Sequence, residues 1–342
     1  MDRRGFFSEL TAGAKNAQPV ITTGRTQSGL NPYTGTWGEE EVLHLLRRVQ
    51  FGAKRSDVAY FRGRTMNQTI DELLNPTAPD PASPIKEYVT PTTVGVVPDP
   101  TVMQGTTWIN NVNNDGTIQG LRRASYKKWL TGNMINQDRS IREKMILFWT
   151  DHFGNESTDV GNANLMYKQH ALIRQYALGN FKSMVRDITI DPAMLRYLNG
   201  YLNLASAPDE NYARELMELF TLGKGPDSNY TESDVKEAAK VLTGWTINYT
   251  TYQPSFVTAR HSTVNKTFSS FFNNTVITGR TGTTAGQLEI DDLLNMIFAQ
   301  PEVAKFIARR FYRWFVYYQI DADAERNVIT PLADIFRSSG YE

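Results

Sequence analysis

Residues 209–245 read DENYARELMELFTLGKGPDSNYTESDVKEAAKVLTGW, and this pattern predicts two helices joined by a turn. Asp209 is a suitable N-cap for the first helix, and Gly223 is a suitable left-handed residue at its end. Thr231 and Asp234 have the spacing of a capping box, which predicts the start of the second helix. We therefore expect an antiparallel helical hairpin here and a mainly helical fold around it.

The first helix of this pair is predicted to be amphipathic. One face carries the apolar side chains expected in the core, namely Tyr212, Leu216, Leu219 and Phe220. The opposite arc carries Asn211, Arg214, Glu215 and Glu218.

Two interpretations of the polar arc are open. Charges of opposite sign four residues apart, as in Glu210–Arg214 and Arg214–Glu218, ordinarily form ion pairs on a solvated helix face. If the arc instead lines a cleft, Glu215 and Glu218 could raise each other's pKa for acid–base work or bind a hard cation.

The remaining sequence predicts a mainly α protein with a single multi-helical domain. Residues 1–36 have the composition of a flexible tail, 37–342 form the helical domain, and 76–120 form a long Pro-rich loop excursion within it. Near 246–288 helical periodicity is lost, which predicts a short β-hairpin or an irregular insertion. Further helices are expected between Gly38 and Gly52 and at 56–61, 66–74, 121–131, 141–153, 163–178, 181–188, 193–199, 290–299, 302–318 and 329–337, with Ser140 and Glu143 as a second capping box.

Composition excludes several classes of function. Lys plus Arg and Asp plus Glu each number 36, so the chain has no basic surplus of the kind that nucleic-acid binding usually needs. The absence of cysteine excludes disulfides, thiolate metal sites and a cysteine nucleophile. No apolar run reaches about 18 residues, so we expect a soluble protein with no membrane span.

The N-terminus MDRRGFF resembles the twin-arginine opening of bacterial export signals. The residues that follow are too polar to form the apolar segment that such a signal requires. Both a periplasmic or exported location and a cytoplasmic one therefore stay open.

Several motifs together resemble the bacterial DUF1800 family, a domain of unknown function. The resemblance covers roughly residue 37 to the last residue. It rests on 209–223, 230–235 and 242–245, and on the fragments at 44–48, 51–52, 148–153 and 177–181.

The resemblance implies little about activity. Members of the family are typically longer, so the resemblance implies that this chain is incomplete at its C-terminus. Members often look exported. They are also often encoded beside a sulfatase-like protein, so a sulfatase-like companion is the expected partner. The family usually has a histidine at the position of Phe220 and an aspartate at the position of Ser262, directly after His261. These departures weaken any metal or acid–base chemistry that would depend on them.

The chain has four histidines, His44, His152, His170 and His261, without a His-Glu-x-x-His motif. The candidate catalytic residues are His152, Arg214, Glu215, Glu218 and His261, with Asp234 and Lys266 as further wall residues. For His152 the sequence favours a partly buried histidine that caps its helix over a role in the site. Cofactors and metals remain unknown. Two functions are compatible with the sequence: an accessory or partner-binding protein in envelope or polysaccharide-related processes, or a hydrolase or metal-assisted enzyme with a His/Glu cleft.

Overall fold

The computed structural model describes residues 26–88 and 99–342, and it confirms a mainly α fold with only small hairpins. The expected export-like segment at the N-terminus lies outside these residues, as do 89–98 of the loop excursion. The helices are α1 Glu39–Val49, α2 Arg55–Arg62, α3 Met66–Leu74, α4 Gly116–Ile135, α5 Arg142–His152, α6 Ser157–Val160, α7 Ala163–Tyr176, α8 Phe181–Thr189, α9 Pro192–Tyr197, α10 Glu210–Glu215, α11 Glu232–Val241, α12 Ala285–Phe298, α13 Pro301–Phe315, α14 Ala322–Ala324 and α15 Thr330–Ser338.

The predicted insertion near 246–288 contains two antiparallel hairpins. Strands β1 (Trp245–Asn248) and β2 (Gln253–Phe256) pair with Trp245 opposite Phe256. Strands β3 (Lys266–Thr267) and β4 (Val276–Ile277) pair with Lys266 opposite Ile277. Both hairpins lie in the connection between α11 and α12. Strand β1 packs against α9, whereas β3 packs against α11 and β4 against α12.

One large apolar core joins α5 and the helices from α7 onward. Stacked aromatic rings form its centre, where Trp149 lies 5.1 Å from Phe181 and Phe148 lies 4.5 Å from Phe311 between ring centroids. Each buried large side chain contributes about 1.5–3 kcal/mol of burial free energy, so packing of this kind dominates the stability. A smaller cluster of Val42, Leu46, Phe61 and Leu73 holds α1–α3 together.

The described parts of the loop excursion contain no helix between α3 and α4. Ile85 and Thr107 form an isolated antiparallel bridge across it. Asp99 anchors it to α4 through an ion pair with Arg122 in which both side chains are wholly buried. The loop is therefore fixed to the domain by a polar contact in its interior.

The predicted capping box at Ser140 and Glu143 is wrong. The Ser140 hydroxyl accepts a hydrogen bond from the Arg142 backbone N–H, but Glu143 forms an ion pair with Arg174 of α7 instead of returning to the helix start. A carboxylate that can reach a buried guanidinium is stabilised more there than at a partly solvated helix end. The second box is confirmed, since Thr231 and Asp234 cap each other at the start of α11.

The α-helix α10 continues directly into a π-helix. Leu216–Thr221 forms a π-helical segment in which the Thr221 hydroxyl donates to the Leu216 carbonyl and Leu222 N–H donates to the Met217 carbonyl. The wider turn shifts the helical phase that the sequence prediction assumed. Leu219, expected in the core, is consequently 41% exposed, whereas Met217 is wholly buried.

Candidate functional site

His152 lies in the aromatic core at the end of α5 and does not cap that helix. Its Nε2 lies 3.0 Å from the Phe220 carbonyl oxygen at the end of the π-helical segment. Aromatic rings surround it at centroid distances of 4.6–6.4 Å: Phe148, Trp149, Phe153, Phe181, Phe220 and Phe306. Burial, aided by the charge of Arg310, lowers the pKa of His152 to about 3. The imidazole is therefore neutral at pH 7 and connects two helices.

Because His152 is buried in its neutral form, the free energy of unfolding decreases as the pH falls. In the unfolded chain the His152 imidazole takes up a proton near pH 6.5, whereas the folded protein resists protonation down to about pH 3. Stability contributed by this group is present above pH 6.5 and lost as the pH falls. We expect His152→Gln, which cannot titrate, to reduce the fall in unfolding free energy between pH 6.5 and 4 by up to about 1.4 kcal/mol per pH unit.

Urea unfolding at several pH values provides the measurement. The slope is the readout, because any packing cost of the glutamine shifts the whole curve, including its part above pH 7. Equal slopes for the wild type and His152→Gln would contradict the burial of this imidazole.

His261 belongs to a buried ionic cluster with Glu289 of α12 and Lys266 of β3. Its Nε2 lies 3.2 Å from Glu289 Oε1, and Lys266 Nζ donates to Glu289 Oε2. Glu289 Oε1 also accepts the Arg280 backbone N–H at 2.7 Å. Burial alone would raise the pKa of Glu289, but the hydrogen bonds from His261 and Lys266 outweigh it and keep this pKa below its usual value.

The far side of the His261 ring is held by the end of α11. Nδ1 lies 2.9 Å from the Thr243 carbonyl oxygen, and the Thr243 hydroxyl accepts the Ser262 backbone N–H at 2.8 Å. Gly244 follows with φ +92°, where a Cβ would lie 3.1 Å from the Cβ of His261, so only glycine fits this close approach. Both ring nitrogens of His261 thus face oxygen atoms supplied by the protein itself.

The polar arc of α10 lies at the surface. Arg214 pairs with Glu210 at 3.1 Å and with Glu232 of α11 at 2.6 Å, so the second expected partner, Glu218, is replaced by a residue of the next helix. Glu218 lies 3.5 Å from Lys224, and its side chain is 24% exposed. Solvent-accessible ion pairs therefore connect the two helices of the hairpin.

Tyr230 lies close to several charged side chains of this polar arc. Burial first, and then the charge of Glu218, raise the pKa of Tyr230 to about 12, and Arg214 and Glu215 also act on it. The candidate residues Arg214, Glu215 and Glu218 therefore all lie near Tyr230. His152 and His261 have other partners, the former in the aromatic core and the latter at Glu289.

The sequence did not single out Glu289, although it predicted His261 and Lys266. A possible signal was a lone carboxylate among the apolar positions of the helix around it. Asp234 caps α11 as expected and also accepts the Ser269 backbone N–H at 2.7 Å. It thus fixes the loop that follows β3 without contacting His261 in any described hydrogen bond.

In residues 26–88 and 99–342, no group of three or more His, Asp or Glu side chains is arranged to hold a metal ion. Nor does any helix there have the length and apolar character needed to cross a membrane.

Comparison with known proteins adds one finding. No curated protein and no solved structure matched the chain. A family model described as "Protein of unknown function (DUF1800)" matches residues 44–342, a range that includes the α10–α11 hairpin and the His261 cluster. The chain therefore belongs to the DUF1800 family.

Proposed function

We propose that this chain is an accessory, partner-binding protein of envelope or polysaccharide-related processes, not a self-sufficient catalyst. One observation carries the proposal: the candidate catalytic histidines His152 and His261 are buried, whereas the charged side chains of Glu210, Arg214 and Glu218 are 24–34% exposed. A general base must reach the substrate proton directly or through one water. Surface charges suit recognition of another macromolecule instead.

The partner surface in this proposal is the outer side of α10 and the start of α11, here called the acidic face. It consists of Glu210, Arg214, Glu215, Glu218, Leu219, Lys224, Glu232 and Lys236. Acidic side chains outnumber basic ones on it, so a partner with a basic patch fits best. The sulfatase-like companion expected from the family resemblance is the partner we propose.

The proposal predicts that charge reversal on the acidic face weakens the complex. The double variant Glu218→Lys with Glu232→Lys should bind the purified sulfatase-like companion at least about tenfold more weakly, because like charges then oppose each other across the interface. Biolayer interferometry at two salt concentrations measures the effect, and the wild-type affinity should fall as salt rises.

A matched control is the pair Asp71→Lys with Asp334→Lys, which reverses two exposed carboxylates on α3 and α15 and should leave the affinity unchanged. If neither the wild type nor the control pair binds the companion, this assignment of the partner is wrong.

The alternative is a hydrolase or metal-assisted enzyme, and its support is the His261–Glu289 contact, an imidazole beside a carboxylate as in many acid–base sites. Stoichiometric metal in the purified full-length protein, with a loss of thermal stability on chelation, would favour this enzyme over the accessory role.

A further inference from the structure

Two arginines meet beneath the loop excursion. Arg142 is the first residue of α5 and Arg174 lies in the last turn of α7; their side chains are 15% and 8% exposed. Both approach Asp80 of the loop, with Nη1 atoms 3.7 and 3.8 Å from the same carboxylate oxygen, Oδ1. We call this group the two-arginine site.

The guanidinium groups of this site are only partly satisfied. Arg174 Nη2 lies 2.7 Å from Glu143 Oε1. Arg142 Nη2 donates to the Ala78 carbonyl at 3.0 Å and to Asp138 Oδ2 at 3.3 Å. Within the described part of the chain, Nε of Arg142 and all three guanidinium nitrogens of Arg174 are buried without a well-aligned hydrogen bond, including Arg174 Nη2 beside Glu143. Buried donors are nearly always bonded, so these free donors indicate a site built for an additional acceptor.

Asp80 lies where such an acceptor would be, but it does not form hydrogen bonds with the arginines. At 3.7–3.8 Å its oxygen is too distant for hydrogen bonds, and its side chain is 69% exposed. An exposed carboxylate at this distance is weakly held. It can therefore leave for solvent and be replaced.

We propose that the two-arginine site binds a tetrahedral oxyanion of the phosphate or sulfate class, free or carried on a larger molecule, in place of Asp80. Such an anion presents several oxygens at once and matches the fork of donors on a guanidinium. Asp138 and Glu143 already pair with the two arginines, so Asp80 is the third carboxylate at the site, and its departure lets one negative charge of the ligand take its place.

A buried imidazole lies beside the site. His170 lies one turn before Arg174 on α7 and is 4% exposed. Burial, with the charge of Arg174, lowers its pKa to about 3, so it stays neutral beside the site. Binding at this position would also fasten the loop excursion through Ala78, which Arg142 already holds.

Isothermal titration calorimetry of the full chain tests the proposal with inorganic phosphate, sulfate, glycerol 2-phosphate and acetate, at constant ionic strength in chloride. Phosphate or sulfate should bind, and acetate should bind more weakly. The exposed substitution Asp80→Ala should tighten phosphate binding about fivefold or more, because the competing carboxylate is gone. Arg142→Gln should abolish it.

The monoester arm distinguishes a free anion from one carried on a larger ligand, since glycerol 2-phosphate binds more tightly than phosphate only in the second case. Asp71→Ala, which removes an exposed carboxylate from α3, is the control and should not change binding. The proposal is overturned if neither the wild type nor Asp80→Ala takes up any tetrahedral anion, if acetate binds as tightly as phosphate, or if Asp71→Ala gives the same gain.

Discussion

Glu289→Gln should lower the free energy of unfolding by about 3–5 kcal/mol, the usual cost of breaking a buried ion pair from one side. Glutamine has the same shape as glutamate, so the effect arises from charge. Lys266 is wholly buried, and after the substitution its ammonium would retain the Ser262 carbonyl at 2.6 Å but lose its carboxylate partner. Urea unfolding followed by circular dichroism measures the change.

Asp292→Asn on the same helix is the matched control. Asp292 pairs with Arg280 at 2.7 Å, but its side chain is 40% exposed, so its removal should cost no more than about 1 kcal/mol. Combining Glu289→Gln with Lys266→Met should recover part of the loss, because the unpaired charge is then gone. Similar losses for Glu289→Gln and Asp292→Asn would refute the role of burial.

Asp99→Asn, in the loop excursion, should have a comparable effect of about 3–5 kcal/mol. Arg122 Nε and Nη2 donate to the two Asp99 carboxylate oxygens at 2.9 and 3.0 Å, and both side chains are wholly buried. Burial raises the pKa of Asp99, but the hydrogen bonds from Arg122 and Tyr88 outweigh it and lower this pKa overall. Without the carboxylate, the buried guanidinium keeps only its bonds to amide and carbonyl oxygens.

The control here is Glu87→Gln, which removes a loop-to-α4 ion pair with Lys128 at the surface and should cost at most about 1 kcal/mol. Limited proteolysis supplies a second readout, because Asp99→Asn should increase cleavage between 99 and 115, where the loop is anchored. Unchanged unfolding and unchanged cleavage would show that Arg122 tolerates the loss.

Local signals explain most of what could be predicted from the sequence. Gly223 has a left-handed backbone and Thr231 forms its box with Asp234, because both features depend only on near neighbours. The phase of Leu219 was mispredicted because a spacing of 100° per residue presumes an α-helix throughout.

The site was less predictable, since its contacts join distant parts of the chain. Lys266 and Glu289 are 23 residues apart, and in a sequence each resembles an ordinary surface charge. His152 shows the same difficulty, because an imidazole in an aromatic core has the same residue pattern as one that lines a cleft. Burial separates these cases, and a single sequence does not show it.

The π-helical segment has a consequence for how this hairpin can change in length. A turn closed by a bond from residue i to i+5 holds one residue more than an α-helical turn, so Leu216–Thr221 is equivalent to an α-helix with one residue inserted. Deleting Leu219 would restore ordinary helical spacing while Gly223 still ends the helix. Deletion of one residue should therefore be tolerated here more readily than in α11, where it would rotate buried side chains out of the core.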